Sequence, residues 1–288
     1  MNGGKKVDYI EVAKKIKLNS IKVNFDVENT EKLPIGASKF GGHPDLPEGF
    51  KWYYFNGRVP LEDFTKNRPL SFIAQINCKE VKKYDLDNRL PSTGILYFFY
   101  ELETMSWGSD QSDKGSARVY YYDGDISKLI RTDYPEDMPR EYKLPSIKLT
   151  FESEENIPDY EEIEDICNEY NSSGYEIYDQ FKYKGNMEPE FSNKLLGYAD
   201  SIQGSMLHEC EEVSRKIYCG GKLDITPEYQ EEIKAHKSEW KLLFQLGTVS
   251  KGDFQLMFGD CGEIYFYIRE DDLKNKNFEN VWLILQCG

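Results

Sequence analysis

The chain has 288 residues, with 51 acidic against 36 basic side chains and a formal charge of −15. That balance excludes a general nucleic-acid binder, which needs cations to neutralise phosphates, and it excludes docking on anionic lipid. Mean hydropathy is −0.66 and no apolar run approaches the roughly 20 residues of a membrane span. Apolar residues at 39% and aromatic residues at 14% nevertheless suffice for a core. The opening segment MNGGKKVDYIEVAKKIKL lacks a long apolar stretch and a cleavage site, so no signal peptide is expected. Six cysteines, Cys78, Cys167, Cys210, Cys219, Cys261 and Cys287, are scattered without a CxxC pair. Disulfide scaffolds are short and cysteine-dense. Free thiols in a cytoplasmic protein are the expectation, with no structural metal.

In chain order, Ile10, Ala13 and Ile16 follow Asp8 at helical spacing and predict a helix over 8–18. IKVNF (21–25) alternates as a strand. The Gly/Pro-rich stretch 33–50 reads as turn and loop. SFIAQIN (71–77) and GILYFFY (94–100) are strong strands. ARVYYYDGDISKLI (117–130) reads as a hairpin turning at Asp123–Asp125, and IKLTF (147–151) as a further strand. The acid run ESEENIPDYEEIED (152–165) reads as a solvated helix with its acids near the positive N-terminus, followed by a polar loop over 171–193. MLHECEEVSRKIY (206–218) and PEYQEEIKAHKSEW (227–240) read as helices, the second capped by Thr226 with Pro227 in its first turn. Strands return at 240–247, 254–259, 263–269 and 281–287, with one helical turn and a loop between the last two. Strands first and last with helices inserted predict a mostly antiparallel α+β protein.

The chain also matches itself. KFGGHPDLPEG (39–49) lies over KLLGYADSIQG (194–204), pairing Lys39 with Lys194, Gly42 with Gly197, Asp45 with Asp200 and Gly49 with Gly204. FIAQI (72–76) lies over LFQL (243–246), aligning Gln75 with Gln245. GILYFFY lies over GEIYFYI (262–268), aligning Tyr97 with Tyr265. Three blocks in the same order predict two related β subdomains, about 21–150 and 190–288, within one domain of 1–288. An acidic helix and polar loop (151–189) lie between them. Neither half has many strands of its own, so a shared core and a pocket at the seam are expected.

Gln75 and Gln245 sit inside apolar strands. A buried amide must be hydrogen-bonded, so each either satisfies a neighbouring loop backbone or lines a pocket. Only three histidines occur. His208 and Cys210 diverge around a helix and do not make a metal site, and His43 is expected to pack as an aromatic, since its counterpart is Tyr198. No dinucleotide fingerprint, P-loop, HExxH or GxSxG motif is present, so no catalytic residues and no cofactor are assigned. Aromatic residues are abundant, with 21 Tyr and 16 Phe. The alternation of Tyr120, Tyr121 and Tyr122 sends them to both sheet faces.

The blocks KFGGHPDLPEGFKW (39–52), PLSFIAQIN (69–77), LPSTGILYFFYE (90–101), WGSDQSDKGSARVYYYD (107–123), LLGYADSIQGSM (195–206), WKLLFQLG (240–247), FGDCGEIYFYIREDDL (258–273) and FENVWLILQCG (278–288) resemble the YwqG-like family of bacterial proteins, a domain of unknown function. The resemblance spans nearly the whole chain. It implies a β-rich, roll-like architecture with an internal repeat and peripheral helices, and it supplies no activity. Some relatives look to lie near secreted-toxin loci, which implies an immunity or antitoxin role. The matched loops contribute Asp45, Asp113, Arg118, Asp200 and Asp260, which with Gln75 and Gln245 make the candidate binding residues. The expected function is non-catalytic binding of a protein partner or small ligand, a basic toxin being one form of it. The alternative is an enzyme with its site at the seam. Oligomeric state is left open.

Overall fold

The computed structural model describes residues 15–29, 31–59, 62–158, 162, 193–215 and 226–288. Most of the helix expected over 8–18, the polar loop and most of the later half of the acid run lie outside these residues. The first strands are β1 (Leu18–Asp26), β2 (Lys39–Phe40), β3 (Asp45–Pro47), β4 (Tyr54–Arg58) and β5 (Thr65–Pro69). There follow β6 (Ser71–Asn77), β7 (Ile95–Tyr100), β8 (Ala117–Tyr122), β9 (Leu129–Arg131) and β10 (Ile147–Asn156). The later strands are β11 (Lys194–Leu195), β12 (Trp240–Leu246), β13 (Val249–Lys251), β14 (Phe254–Leu256), β15 (Glu263–Arg269) and β16 (Trp282–Gln286). The α-helices whose bounds lie within the described residues are α1 (Cys78–Val81), α2 (Leu207–Ser214), α3 (Pro227–His236) and α4 (Glu270–Lys274).

Ten strands form one antiparallel sheet in the order β16-β15-β12-β11-β1-β10-β2-β6-β7-β8. It curls until its two ends nearly meet. The gap is bridged by the 107–113 loop: the Leu285 amide donates to the Trp107 carbonyl at 2.9 Å, and Trp282 Nε1 donates to the Gly108 carbonyl at 2.8 Å. Gly108 is required there, because φ is +78° and a Cβ would stand 1.7 Å from the Leu283 carbonyl oxygen. Inside the curl, inward-facing residues of the strands join one core that includes Ile21, Phe40, Phe98, Leu149, Phe244 and Phe266. Phe98 meets Phe244 and Phe266 at ring-centroid distances of 4.8 and 5.2 Å.

The outer face is covered twice, by different means. Over β6 and β7, Phe72, Tyr97 and Phe99 pack under Leu46, Phe55 and Leu129. Over β12, β15 and β16, Leu242, Tyr265, Tyr267 and Ile284 pack under Leu207, Cys210 and Val213 of α2. Strands buried on both faces need apolar residues at every position. This is why these segments read as continuous apolar runs rather than alternating ones. Helix α3 starts as expected: the Thr226 hydroxyl accepts the Tyr229 amide at 3.4 Å, with Pro227 in the first turn.

Three expectations are corrected. The segment 117–130 is not a hairpin: Asp125 accepts the Ser127 amide at 2.9 Å and caps a 3₁₀ turn, and β9 then pairs with β3 instead of β8. The acid run does not begin a helix. Glu152, Glu154 and Glu155 continue β10, which pairs with β1 along nine residues. Their carboxylates find Asn24 Nδ2 at 3.1 Å, the Ser20 hydroxyl at 3.4 Å and Lys17. A long antiparallel partner outweighs local helix preference here. The 33–50 loop contains the short strands β2 and β3, and the β4–β5 hairpin lies in a stretch that carries no clear alternation. Among the described residues, no helix is long and apolar enough to cross a membrane.

Candidate functional site

Strand register builds a buried polar cluster. Lys39 on β2 lies opposite Gln75 on β6, and Gln75 lies opposite Tyr97 on β7. Asp45, at the start of β3, drops onto this row. Gln75 Oε1 accepts the Asp45 amide at 2.9 Å, and Gln75 Nε2 donates to Asp45 Oδ2 and to the Ala37 carbonyl, both at 2.8 Å. The Tyr97 hydroxyl donates to the Asp45 carbonyl. Lys39 Nζ donates to the His43 carbonyl at 2.6 Å and stands 3.3 Å from Asp45 Oδ2. Arg131, from β9, donates through Nε to Asp45 Oδ1 at 2.9 Å, and the Gly36 amide donates to Oδ2 at 3.0 Å. Burial alone would raise the Asp45 carboxyl. Arg131, Lys39, the Gly36 amide and Gln75 outweigh it and hold the pKa below the usual carboxylate range. Burial pushes the Lys39 ammonium down to about 8, against the pull of Asp45.

The later half holds a second such cluster. Lys194 on β11 lies opposite Gln245 on β12, which lies opposite Tyr265 on β15. Gln245 Oε1 accepts the Asp200 amide at 2.9 Å and Nε2 donates to Asp200 Oδ2 at 3.0 Å. Lys194 Nζ is 2.7 Å from Asp200 Oδ1, and the Tyr265 hydroxyl donates to the Asp200 carbonyl at 2.8 Å. Both β6 and β12 carry a bulge just before the glutamine, between Phe72 and Ala74 and between Leu242 and Phe244. Glu263 adds a second acid here. Its burial, and then the Asp200 charge, raise its carboxyl to about 8 despite Lys194, Gln245 and Tyr265. Its Oε2 is buried without a hydrogen-bond partner.

The seven candidate residues therefore do not converge on one point. Asp45 with Gln75 and Asp200 with Gln245 form the two clusters, in which each glutamine pins a loop. Asp113 is half-buried in the closing loop, where Oδ2 accepts the Gly108 amide at 3.0 Å and burial raises its pKa. Arg118 projects from β8 on the side of Tyr120 and Tyr122. Asp260 is exposed in a turn whose carbonyl accepts the Gly288 amide at 2.9 Å. His43 packs on Tyr134, with ring centroids 4.8 Å apart, and its Nδ1 lies 3.2 Å from Asp133. Sequence reasoning missed Arg131 and Glu263. Arg131 sits at the end of a misread strand, and Glu263 faces Ile95 in the matched block, so neither leaves a signal. Lys39 and Lys194 did leave one, as a matched pair beside the matched glutamines.

Two cavities adjoin these elements. One, of about 640 Å³, opens beside the first cluster and is lined by Lys39, His43, Arg131, Tyr134 and Lys143 among others. A cleft of about 870 Å³ runs between the 82–92 loop, the start of β1 and the β12 and α4 segments. Among the described residues, no group of three or more His, Cys, Asp or Glu side chains is arranged to hold a metal ion. A family model described as a domain of unknown function, DUF1963, matches residues 38–287. The matched range covers almost all of the stretches that carry the YwqG-like resemblance. No curated protein matches the chain.

Proposed function

The chain belongs to the DUF1963 family, and we propose that it is a non-catalytic binding protein whose acidic, tyrosine-bearing surface takes a basic protein partner, a toxin being one such partner. The observation that carries this reading is the surface of the cover over β6 and β7. Four large apolar side chains there, Ile35, Tyr54, Phe64 and Ile130, are exposed by 40–55%. Exposed acids Asp133, Glu136 and Asp137 share this cover, and the Tyr54 hydroxyl donates to Asp137 at 2.8 Å. Aromatic anchors set among acids suit a basic protein surface, with charge governing the association rate and packing the residence time. A catalytic acid or base must reach its substrate. Asp45 is fully buried with both carboxylate oxygens occupied, which argues for a structural role.

The duplication is part of the same proposal. It is supported by the shared register Lys–Gln–Tyr, by the same hydrogen bonds from Gln75 and Gln245 to Asp45 and Asp200, and by left-handed backbone at Gly41 and Gly42 and at Leu196 and Gly197. A cytoplasmic location rests on the scattered cysteines, of which Cys78, Cys210 and Cys287 are buried. The test uses a partner found by crosslinking and co-purification. Neutralising Asp133, Glu136 and Asp137 together should slow association and flatten its salt dependence, while Tyr54→Ala should speed dissociation. Unchanged kinetics in both variants would remove this surface from the proposal.

A further inference from the structure

The 870 Å³ cleft carries a charge opposite to that of the molecule. Its walls present six cations, Lys17, Lys82, Arg89, Lys241, Lys274 and Lys276, against three acids, Asp87, Glu162 and Glu270. The chain as a whole is at −15, so this local excess is not a sample of the average surface. The volume falls within the roughly 300–1,000 Å³ of small-molecule sites.

The walls are built rather than incidental. The 82–92 loop is fastened to β1 where Asn19 Oδ1 accepts the Leu86 amide at 2.8 Å. Its turn is fixed by the buried Asp85 carboxylate, which accepts the Arg89 amide at 3.0 Å and the Leu90 amide at 2.8 Å. The half-buried Arg89 is thereby held at the mouth, and its guanidinium makes no hydrogen bond or ion pair among the described residues. Opposite, Lys241 donates to the Ser238 carbonyl at 2.6 Å and stands 3.9 Å from Glu270. Glu270 is itself held by Lys274 at 3.0 Å. Burial lowers the Lys241 pKa, Glu270 pulls it upward, and Arg89 lowers it again, with a lowered pKa as the net result. Lys276 also has no side-chain partner among the described residues. Leu18, Leu242, Leu273 and Trp240 add apolar surface to the lining.

Among the described residues Lys17 is paired with Glu155 and Lys274 with Glu270 and Asp271, so the cations left without an acid of their own include Arg89 and Lys276, with Lys241 sharing Glu270. Like charges held together in this way repel each other. The geometry points to a binding site for a small, multiply charged organic anion with an apolar body. Arg89 would grip its phosphate or carboxylate group in a bidentate manner, Lys241 and Lys276 would supply further charge, and the leucines of the lining would cover the body. This cleft is separate from the surface proposed to take a protein partner.

The test is calorimetric titration of the full chain at low ionic strength with ADP, tripolyphosphate and citrate as probes. At least one probe is expected to bind with a Kd below about 1 mM. ADP tighter than citrate assigns the site to phosphorylated anions, and the reverse assigns it to polycarboxylates. The Arg89→Gln/Lys241→Gln double variant should weaken binding about tenfold or more, while Lys143→Gln, in the other cavity, should leave it unchanged. Without ligand, the double variant should melt no lower than the native chain, because the repulsion is gone. Lys276→Gln, at an exposed position, gives the same binding comparison if the double variant fails to fold. No binding by any of the three probes, or equal binding by the native chain and the variants of the cleft, overturns the assignment.

Discussion

Replacing Glu263 with glutamine should stabilise the protein in alkaline solution and do little in acid. Glu263 is 5% exposed, its Oε2 has no hydrogen-bond partner, and Asp200 stands in the same cluster. Its carboxyl is raised from 4.5 to about 8, so the folded state holds this proton over a range in which the unfolded state has released it. Stability from this group is therefore full below about pH 4.5, falls as pH rises, and is lost by about pH 8. One pKa unit corresponds to about 1.4 kcal/mol, which places the upper bound near 5 kcal/mol and a relaxed value at roughly 2–4 kcal/mol. Glutamine has the shape of the protonated acid and cannot ionise. Urea unfolding of both proteins at about pH 5 and about pH 9 should give nearly equal midpoints at the lower pH and a higher midpoint for Glu263→Gln at the upper one. A difference of the same size at both pH values would refute the argument, since it would show that Glu263 does not titrate across that interval.

Asp45→Ala should destabilise by about 3–5 kcal/mol, because it strands the charges of Lys39 and Arg131 in a buried site. Asp200→Ala should cost less, roughly 1–3 kcal/mol, since the Asp200 side chain is 20% exposed against none for Asp45. Equal costs by urea unfolding would contradict the burial argument. Gly108→Ala should cost about 2–4 kcal/mol, because the new methyl would meet the Leu283 carbonyl where the ends of the sheet are bridged. A shift within about 0.5 kcal/mol in the same assay would mean that this bridge does not constrain the fold.

The strands were legible wherever tertiary burial and local pattern agree. SFIAQIN, covered on both faces, could only be a strand, and β6 occupies the same seven residues. The acid run shows the opposite case. Its local preference was helical, and a partner strand more than a hundred residues earlier decided otherwise, with Lys22 opposite Glu152 and Asn19 opposite Glu155. The segment 117–130 failed for a related reason. Gly124 does mark a turn, but the strand after it is drawn away by Leu46 on β3 and by the ion pair between Arg131 and Asp45. For the candidate site, the glutamines were legible because an amide amid apolar strand residues demands partners. The identity of those partners was not, since Arg131 and Asp45 are brought together only by the pairing of β3 with β9. Asp113, Arg118 and Asp260 were chosen for their chemistry, and the fold sets them in three different places.

The way the sheet ends are bridged bears on how the chain is made as well as on how it stands. The groups that join the two ends come from Trp107 and Gly108 on one side and from Trp282 and Leu285 on the other, 174 residues apart for the tryptophan contact. During synthesis β8 leaves the ribosome long before β16 exists, so the aromatic edge of the first half stands open through most of translation. Contacts so distant in sequence form late and slowly, and an open strand edge pairs readily with other chains. Ribosome-bound or truncated forms ending before residue 282 would thus lack the two hydrogen bonds that link the ends of the sheet and would depend more on chaperones.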